Sequence, residues 1–418
     1  MKILHVVLNY YPSVGGTQVF YKNISENCIK LYNDAVEVFT VDSYYGSHSN
    51  QYKEIFPKQE TINGVNIKRF SFCRKHKFWF RLLNKIMIKM LGKSSPLLNR
   101  YITGPWSSSL MKAIYQTDAD VISASSLGFY YMHYPLFRHT LKNPKPFVFQ
   151  GAIHFPYNKE EHGISAKMLE AIKASDYYLC NTEYEKNRLI QLGVDEEMLV
   201  ITGSAVDVEK FSKGNGADMR NHLQLNDDDI LISYIGRLEA TKSIIVLIDA
   251  FVQAYQKNNQ LKLVIAGFTT DYVHKIKAHI SNLSEAYQQN IFIVLNLEET
   301  EKINLYHATD ILVLPSVNES FGMVFLEAWS CKKPVIGTNI GAIKSVIDEG
   351  KNGLLMQPEN ANDLADKILL LANNKELRIA MGLDGYNKTC NNFTWEIVTE
   401  KIRNTYIKAI KKFKTNNT

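Results

Sequence analysis

The sequence predicts an α/β architecture of two doubly wound domains, each a parallel sheet covered by helices. Three observations carry this. Short apolar runs of strand length alternate with helical patterns in both halves of the chain. At 418 residues the chain exceeds what a single hydrophobic core serves. A polar, glycine-bearing stretch, SAVDVEKFSKGNGADMR at 204–220, separates the halves.

In the first half, strands are expected near residues 2–8, 36–41, 64–70, 120–125, 146–151, 177–180 and 198–202. The second half restarts with ILISYIG at 230–236 and continues through LKLVIAG, IFIVLN, DILVLP and PVIGT. The divisions that follow are a first domain over 1–205, a linker over 206–228, a second domain over 229–390 and a terminal segment over 391–418. In that last segment Trp395, Ile402, Tyr406 and Ile410 recur at the spacing of a buried helix face. Ligands of open α/β sheets sit beyond the carboxyl ends of the strands, so the cleft between the domains is the expected site.

Composition narrows the class. Hydrophobic residues make up 45% of the chain, enough for two cores and too many for extended disorder. The net charge of +6 is too small and too dispersed for a nucleic-acid binder, and suits anionic small molecules or lipid headgroups. The cysteines, Cys28, Cys73, Cys180, Cys331 and Cys390, are odd in number and lack Cys-x-x-Cys spacing. They read as reduced thiols of a cytosolic protein. The opening ILHVVL run is too short for a signal peptide and reads as the first strand. No apolar run approaches the roughly 20 residues that span a bilayer.

The most telling stretch is PSVNESFGMVFLEAWSCKKPVIGT, residues 315–338. It follows an apolar strand, breaks at Pro315-Ser316, sets Glu319 before Ser320-Phe321-Gly322, and then opens a helix at Met323. A helix start presents unpaired N–H groups and the positive end of the dipole, which suit a diphosphate. Gly322 lets phosphate oxygens approach the backbone. Glu327 lies about two helical turns beyond Glu319, so two carboxylates can bracket one extended ligand, one accepting from ribose and one from a sugar. The plainer reading is a capped helix with two solvated carboxylates.

Other loops face the same cleft. In YIGRLEATKS, Arg237 and Lys242 follow a strand end, where a fork and a point charge can neutralise phosphate; solvated loop cations are the alternative. Pro12 to Thr17 carries Gly15-Gly16 after the first strand and opens a helix, or forms a plain tight turn. His154 follows a strand and Gly151, which puts an imidazole at the cleft edge unless it is structural. Asp118-Ala119-Asp120 and Asp227-Asp228-Asp229 precede strands and so lie on the wrong edge for a metal-assisted site. There is no His/Cys spacing for zinc. The expectation is a metal-independent site.

Together these segments resemble glycosyltransferase family 4, most specifically through GRLEATK, ATDILVLPSVNESFGMVFLEAWSCKKPVIGTNIGAIKSVI and GKNGLL. The resemblance implies the GT-B fold, two Rossmann-like domains around a cleft, with the C-terminal helix crossing back to the first domain. It implies a retaining transferase of hexosyltransferase type that uses a nucleotide sugar, a UDP- or GDP-sugar, as co-substrate and no further cofactor. By resemblance Arg237 and Lys242 hold the diphosphate, with help from the Phe321–Met323 turn and the amides of Gly322 and Met323. Glu327 takes the ribose hydroxyls and Glu319 the donor sugar. Gly15 and Gly16 match the amino-terminal glycine pair, and His154 the sugar-contacting histidine. In such enzymes the acceptor attacks on the face the diphosphate leaves, and a donor phosphate oxygen takes its proton. The nucleobase is expected near Asn296 to Glu299. The chain departs from the family at Ser243, where a glycine is usual, at Gln18, where an acid is usual, and at Ser345, where a glutamate is usual.

One segment bears on the acceptor. Lys77, Arg81, Lys85, Lys89 and Lys93 recur every fourth residue and form a basic stripe on a helix. Trp79, Phe80, Leu83, Ile86, Met87, Met90 and Leu91 gather on the other side. That pattern fits either contact with an anionic membrane through residues 77–93 or packing on the sheet. The sequence reading is therefore a transferase acting on a glycan or lipid-linked glycan in surface polysaccharide biosynthesis, at the cytoplasmic face of the cell membrane. A sugar-nucleotide epimerase of the same fold and a non-catalytic nucleotide-sugar-binding subunit are the alternatives.

Overall fold

The computed structural model describes residues 1–13, 15–46, 49–72, 77–92, 106–125, 130–155 and 163–417. Cys73 and Lys93 lie outside the described residues. The remaining cysteines are free thiols.

The first half contains β1 (Lys2–Val6), β2 (Ala35–Val41), β3 (Ser43–Gly46), β4 (Ser49–Glu54), β5 (Gln59–Ile62), β6 (Val65–Phe70), β7 (Val121–Ser125), β8 (Phe147–Gln150), β9 (Tyr177–Cys180) and β10 (Leu199–Ile201). Eight of these form one sheet in the order β10-β9-β8-β7-β1-β2-β6-β5. All its pairings are parallel except that of β5 with β6. The near-continuous apolar runs have the composition that burial on both faces requires: β7, VISAS, is buried at every position. The strand expected over 2–8 ends at Val6. The β3–β4 hairpin and the edge strand β5 were not legible in advance, because sequences such as SNQYKE and QETI carry no apolar run.

The second half contains β11 (Ile230–Ile235), β12 (Leu261–Gly267), β13 (Ile291–Leu295), β14 (Ile311–Leu314), β15 (Val335–Thr338) and β16 (Gly353–Met356). They form a six-stranded parallel sheet in the order β13-β12-β11-β14-β15-β16. In both sheets the strand order reverses near the middle, at β1/β7 and at β11/β14, which is where doubly wound sheets open a ligand crevice.

The stretch expected as a polar linker is folded. Helices Val208–Phe211 and Gly216–His222 occupy it, the second capped by Asn215, whose side chain accepts from the amides of Ala217 and Asp218. Arg220 ties that helix to the second sheet, donating to Asp310 Oδ2 at 3.3 Å and to the Asp229 carbonyl at 2.7 Å. Polarity here goes with short, capped helices.

The last helix, Trp395–Asn417, returns to the first sheet. Trp395, Val398, Ile402, Tyr406 and Ala409 are buried in one cluster with Ile3, Phe20, Tyr21, Val36 and Val38. Each large apolar side chain so buried stabilises by about 1.5–3 kcal/mol. Arg403 adds a charged clamp, its Nε donating to the buried Asp34 Oδ2 at 2.7 Å. The chain therefore crosses between the sheets twice, and the crossings touch: the Val206 amide donates to the Phe393 carbonyl at 2.9 Å.

Candidate functional site

The site is assembled from loops at the carboxyl ends of β11 and β14, facing the loop that follows β8. After β11 the chain turns through Arg237, whose carbonyl accepts from the Tyr234 hydroxyl at 2.7 Å. The guanidinium is exposed and pairs with Glu239 Oε1 at 3.2 Å. Lys242 closes a short 3-10 turn and is buried. Its Nζ donates to the Asn318 carbonyl at 3.2 Å and contacts Glu319 Oε1. Ser243, the departure from the usual glycine, has φ 49° and ψ 38°. That left-handed conformation costs an L-residue about 1 kcal/mol or more, which explains why glycine is usual there.

After β14, Gly322 takes φ 89° and starts the helix Met323–Ser330. A Cβ at Gly322 would lie 2.5 Å from the Phe325 ring, so backbone and packing both require glycine. Phe321 enters the turn through its backbone. Its ring is buried and sits edge-on to Phe393, 5.5 Å between centroids, leaving only its backbone for a ligand. The two glutamates each have their own cation. Glu319 is held by Lys242, while Glu327 Oε1 accepts from Lys302 Nζ at 2.7 Å and Oε2 from the Tyr306 hydroxyl at 2.5 Å. Lys302 and Tyr306 lie one turn apart on helix Glu299–Ala308. Burial pushes the Tyr306 phenol well above its ordinary range, so it stays a donor.

From the first domain comes His154, exposed between buried Ile153 and Phe155. Partial burial of the imidazole lowers its pKa, and the charges of Lys242 and Arg237 act in the same direction. Glu319 and the Asn318 side chain oppose them. The ring is thus within electrostatic reach of four residues of the second domain. Gly15 and Gly16 stand on the same sheet edge, two strands away, in the order β8-β7-β1. Gly15 is extended, at φ 168° and ψ 165°, and Gly16 begins helix Gly16–Tyr32.

Sequence reading missed Lys302, Tyr306 and Asn318. Lys302 and Tyr306 had a detectable signal, an i,i+4 pair on the helix that feeds the site strand. It also missed the domain contacts. The Ser204 hydroxyl donates to Met323 Sδ at 2.6 Å, and the Tyr184 amide donates to Ser345 Oγ at 3.2 Å. Ser345, standing where a glutamate is usual, therefore faces the first domain.

The Asp-x-Asp pairs lie at strand entries: Asp118 contacts Lys2, Asp120 Oδ2 accepts from the Lys2 amide at 2.8 Å, and Asp229 pairs with Lys262 at 3.4 Å. Among the described residues no cluster of three His, Cys, Asp or Glu is arranged to hold a metal. A cavity of about 510 Å³ lies elsewhere, against β2 and β6, where Lys68 is paired with Glu37 at 3.1 Å.

Helix Lys77–Leu91 exposes Trp79, Leu83, Ile86, Met90 and Leu91 along with Arg81, Lys85 and Lys89, while Phe80 and Met87 are half-buried. Among the described residues no helix is long and apolar enough to cross a membrane.

Residues 216–388 match the family model described as Glycosyl transferases group 1. Along nearly its whole length the chain is similar to an uncharacterized glycosyltransferase of Methanocaldococcus jannaschii, 25% identical over 421 aligned residues that cover 97% of this chain and 98% of that protein. It is 26% identical over 238 residues to the D-inositol 3-phosphate glycosyltransferase of Kribbella flavida, covering 55% of this chain and 56% of the relative. To the capsular polysaccharide biosynthesis glycosyltransferase CapM of Staphylococcus aureus it is 29% identical over 209 residues, 49% and 53% of the two chains. The chain thus spans little more than half the length of the first curated relatives it matches. Its fold is that of Anabaena HepE, solved in complex with UDP, at a TM-score of 0.72 and 18% identity over 97% of this chain and 99% of that one.

Fold and match together give the class: a two-domain GT-B fold whose second domain, over residues 216–388, matches the Glycosyl transferases group 1 model.

Proposed function

We propose that the protein is a metal-independent, retaining glycosyltransferase of family 4 that moves a hexosyl group from a UDP- or GDP-sugar to a glycan or lipid-linked glycan. The observation that carries this reading is the buried Lys242 bound to Glu319, with His154 facing both from the other domain. The second domain, residues 229–390, takes the donor: Arg237 and Lys242 meet the diphosphate together with the Gly322 and Met323 amides, and Glu327 accepts from the ribose. Residues 1–205 take the acceptor, with Gly15 and Gly16 near the donor sugar.

In the transfer step the acceptor oxygen bonds to the anomeric carbon as the bond from that carbon to the phosphate oxygen breaks. The acceptor proton passes to a phosphate oxygen. Negative charge grows on the leaving diphosphate, where fixed cations and amides stabilise it most. Cleft loops that exclude water favour the acceptor over hydrolysis. Metal independence is supported by the position of the Asp-x-Asp pairs at the strand entries, remote from the cleft loops. The similarity to CapM supports a surface polysaccharide context. The exposed apolar and basic side chains of helix Lys77–Leu91 support peripheral contact with the inner face of the membrane.

The test is thermal stabilisation by UDP, GDP, ADP and CMP in the presence of chelator, for wild type and Arg237→Ala. A nucleotide at 100 times its dissociation constant stabilises the native state by about 2.7 kcal/mol. One nucleotide should stabilise wild type and lose its effect in the variant. No stabilisation, or an absolute need for metal, refutes the site. Incubating the donor sugar without acceptor separates transfer from epimerisation, which would yield an isomerised donor.

A further inference from the structure

Below His154 lies a carboxylate that the transfer step does not use. Glu185 is buried in helix Glu183–Gln191 and accepts three hydrogen bonds. Its Oε1 accepts from the Ile153 amide at 3.1 Å and the Tyr178 hydroxyl at 2.7 Å, and its Oε2 from the Asn181 amide at 2.6 Å. Tyr178 lies within β9, Asn181 follows its last residue, and Ile153 lies in the loop leaving β8, so one side chain joins the carboxyl ends of two neighbouring strands. Amides that run past the last ladder bond have no strand partner, and Glu185 supplies their acceptor.

The loop it holds is strained and tightly seated. Ala152 has φ 50°, a left-handed backbone uncommon for a residue with a Cβ. Gly151 lies so close to Tyr178 that an added Cβ would fall 1.7 Å from the phenolic oxygen. Beyond His154, the Phe155 ring sits edge-on to Tyr184 at 5.9 Å, with the Arg188 guanidinium 5.5 Å from its centroid. His154 is thus the exposed residue between two anchors, and the Glu183–Gln191 helix supplies both: Glu185 for Ile153, Tyr184 and Arg188 for Phe155.

We propose that Glu185 is a positioning residue that fixes the His154 loop and so sets where the imidazole stands at the cleft. All three of its partners donate, so the ionised carboxylate is the form they satisfy. Burial raises its pKa, and the Asn181 amide, the Tyr178 hydroxyl and the Ile153 amide pull it back. The same helix touches the second domain through the Tyr184 amide and Ser345, so the element that holds the loop also registers it against the donor domain.

This inference rests on the donor site proposed above, and its test separates the two. Glu185→Gln preserves shape but offers a single acceptor oxygen, so one backbone amide faces an NH2 group. Thr182→Ala is the control: it removes the cap of the same helix, where Thr182 Oγ1 accepts from the Glu185 amide at 3.1 Å, and leaves the carboxylate in place. The His154 ring signal, assigned by its loss in His154→Ala, is titrated by NMR in each protein. Turnover and UDP-induced stabilisation are measured alongside.

The expected result in Glu185→Gln is a His154 titration moved back toward that of a free histidine and a kcat at least tenfold lower, with UDP stabilisation kept. Thr182→Ala should leave the titration where it is. An unchanged titration and kcat in Glu185→Gln, or equal changes in both variants, overturns the proposal. If His154→Ala turns over like wild type, the reading of the donor site fails instead. If Glu185→Gln does not fold, amide exchange at Ile153 in wild type decides, since an unprotected amide would rule the contact out.

Discussion

Lys242 and Glu319, 77 residues apart, form a buried ion pair at the mouth of the cleft. The lysine proposed to meet a diphosphate is therefore already neutralised by the carboxylate proposed to meet the sugar. Breaking such a pair from one side costs up to about 3–5 kcal/mol when the other charge stays buried. Glu319→Gln replaces the carboxylate by a neutral amide, so the Lys242 ammonium keeps neutral acceptors, among them the Asn318 carbonyl and the Ser316 hydroxyl, and loses its counter-charge. We expect it to bind UDP or GDP more tightly than wild type, because a competitor for the ammonium is gone, and to transfer sugar at least tenfold more slowly. Calorimetric titration reads the first effect and initial rates the second. A weaker nucleotide affinity in the variant would mean that the pair does not compete with phosphate.

The Tyr306 hydroxyl that holds Glu327 should set ribose recognition. Hydrogen bonds to charged groups contribute about 1.5–3 kcal/mol, and Tyr306→Phe removes one while keeping the ring. Wild type is expected to prefer UDP over 2′-deoxy-UDP, and the variant to lose most of that preference. Equal discrimination by both proteins would take Glu327 away from the ribose.

Where the chain first crosses between domains, Gly203 has φ +75°, and an added Cβ would lie 2.9 Å from the Phe393 ring. Gly203→Ala is expected to destabilise by about 1–3 kcal/mol, combining left-handed strain with a displaced aromatic ring. Thermal denaturation is the check, and an unchanged midpoint would show that the crossing adapts freely.

His5 is fully buried, its Nδ1 2.7 Å from Ser25 Oγ and its Nε2 3.2 Å from the Tyr406 hydroxyl. Burial lowers its pKa to about 3. The folded value lies below the unfolded one of about 6.5, so between those limits the unfolded chain binds the extra proton. The His5 contribution is complete above pH 6.5 and is lost as pH falls toward 3, by up to about 1.4 kcal/mol per unit. Wild type should lose more stability between pH 7.5 and 5 than His5→Gln does. Parallel curves would mean that the imidazole is protonated in the fold.

The exposed lysines of helix Lys77–Leu91 predict binding to anionic vesicles. Each cation near such a surface contributes about 1 kcal/mol, so Lys85→Ala with Lys89→Ala should weaken binding to phosphatidylglycerol vesicles by about 2 kcal/mol. Wild-type binding should also fall with salt. Co-sedimentation that is the same for both proteins would remove the membrane from the reading.

The candidate site residues were legible because they stand in short local patterns. A strand, a break and a helix start can be read within the 315–338 stretch, and Arg237 and Lys242 follow an apolar strand. The helices within the linker stretch at 204–220 were not legible for the converse reason: they are short, capped by Asp207 and Asn215 and mostly polar, so they have no apolar face long enough to show a period.

Sequence alone was sufficient for the alternation of strands and helices, the two-sheet architecture, and the candidate loops at strand ends, since hydrophobic period and turn chemistry are properties of contiguous residues. Tertiary structure decided which of those loops meet. Lys242 takes Glu319 while Lys302 and Tyr306 take Glu327, and Tyr184 meets Ser345 from 161 residues away. Such pairings depend on strand order and on how one sheet sits against the other. Both are set by the packing of whole cores, for which no local run of residues carries a signal.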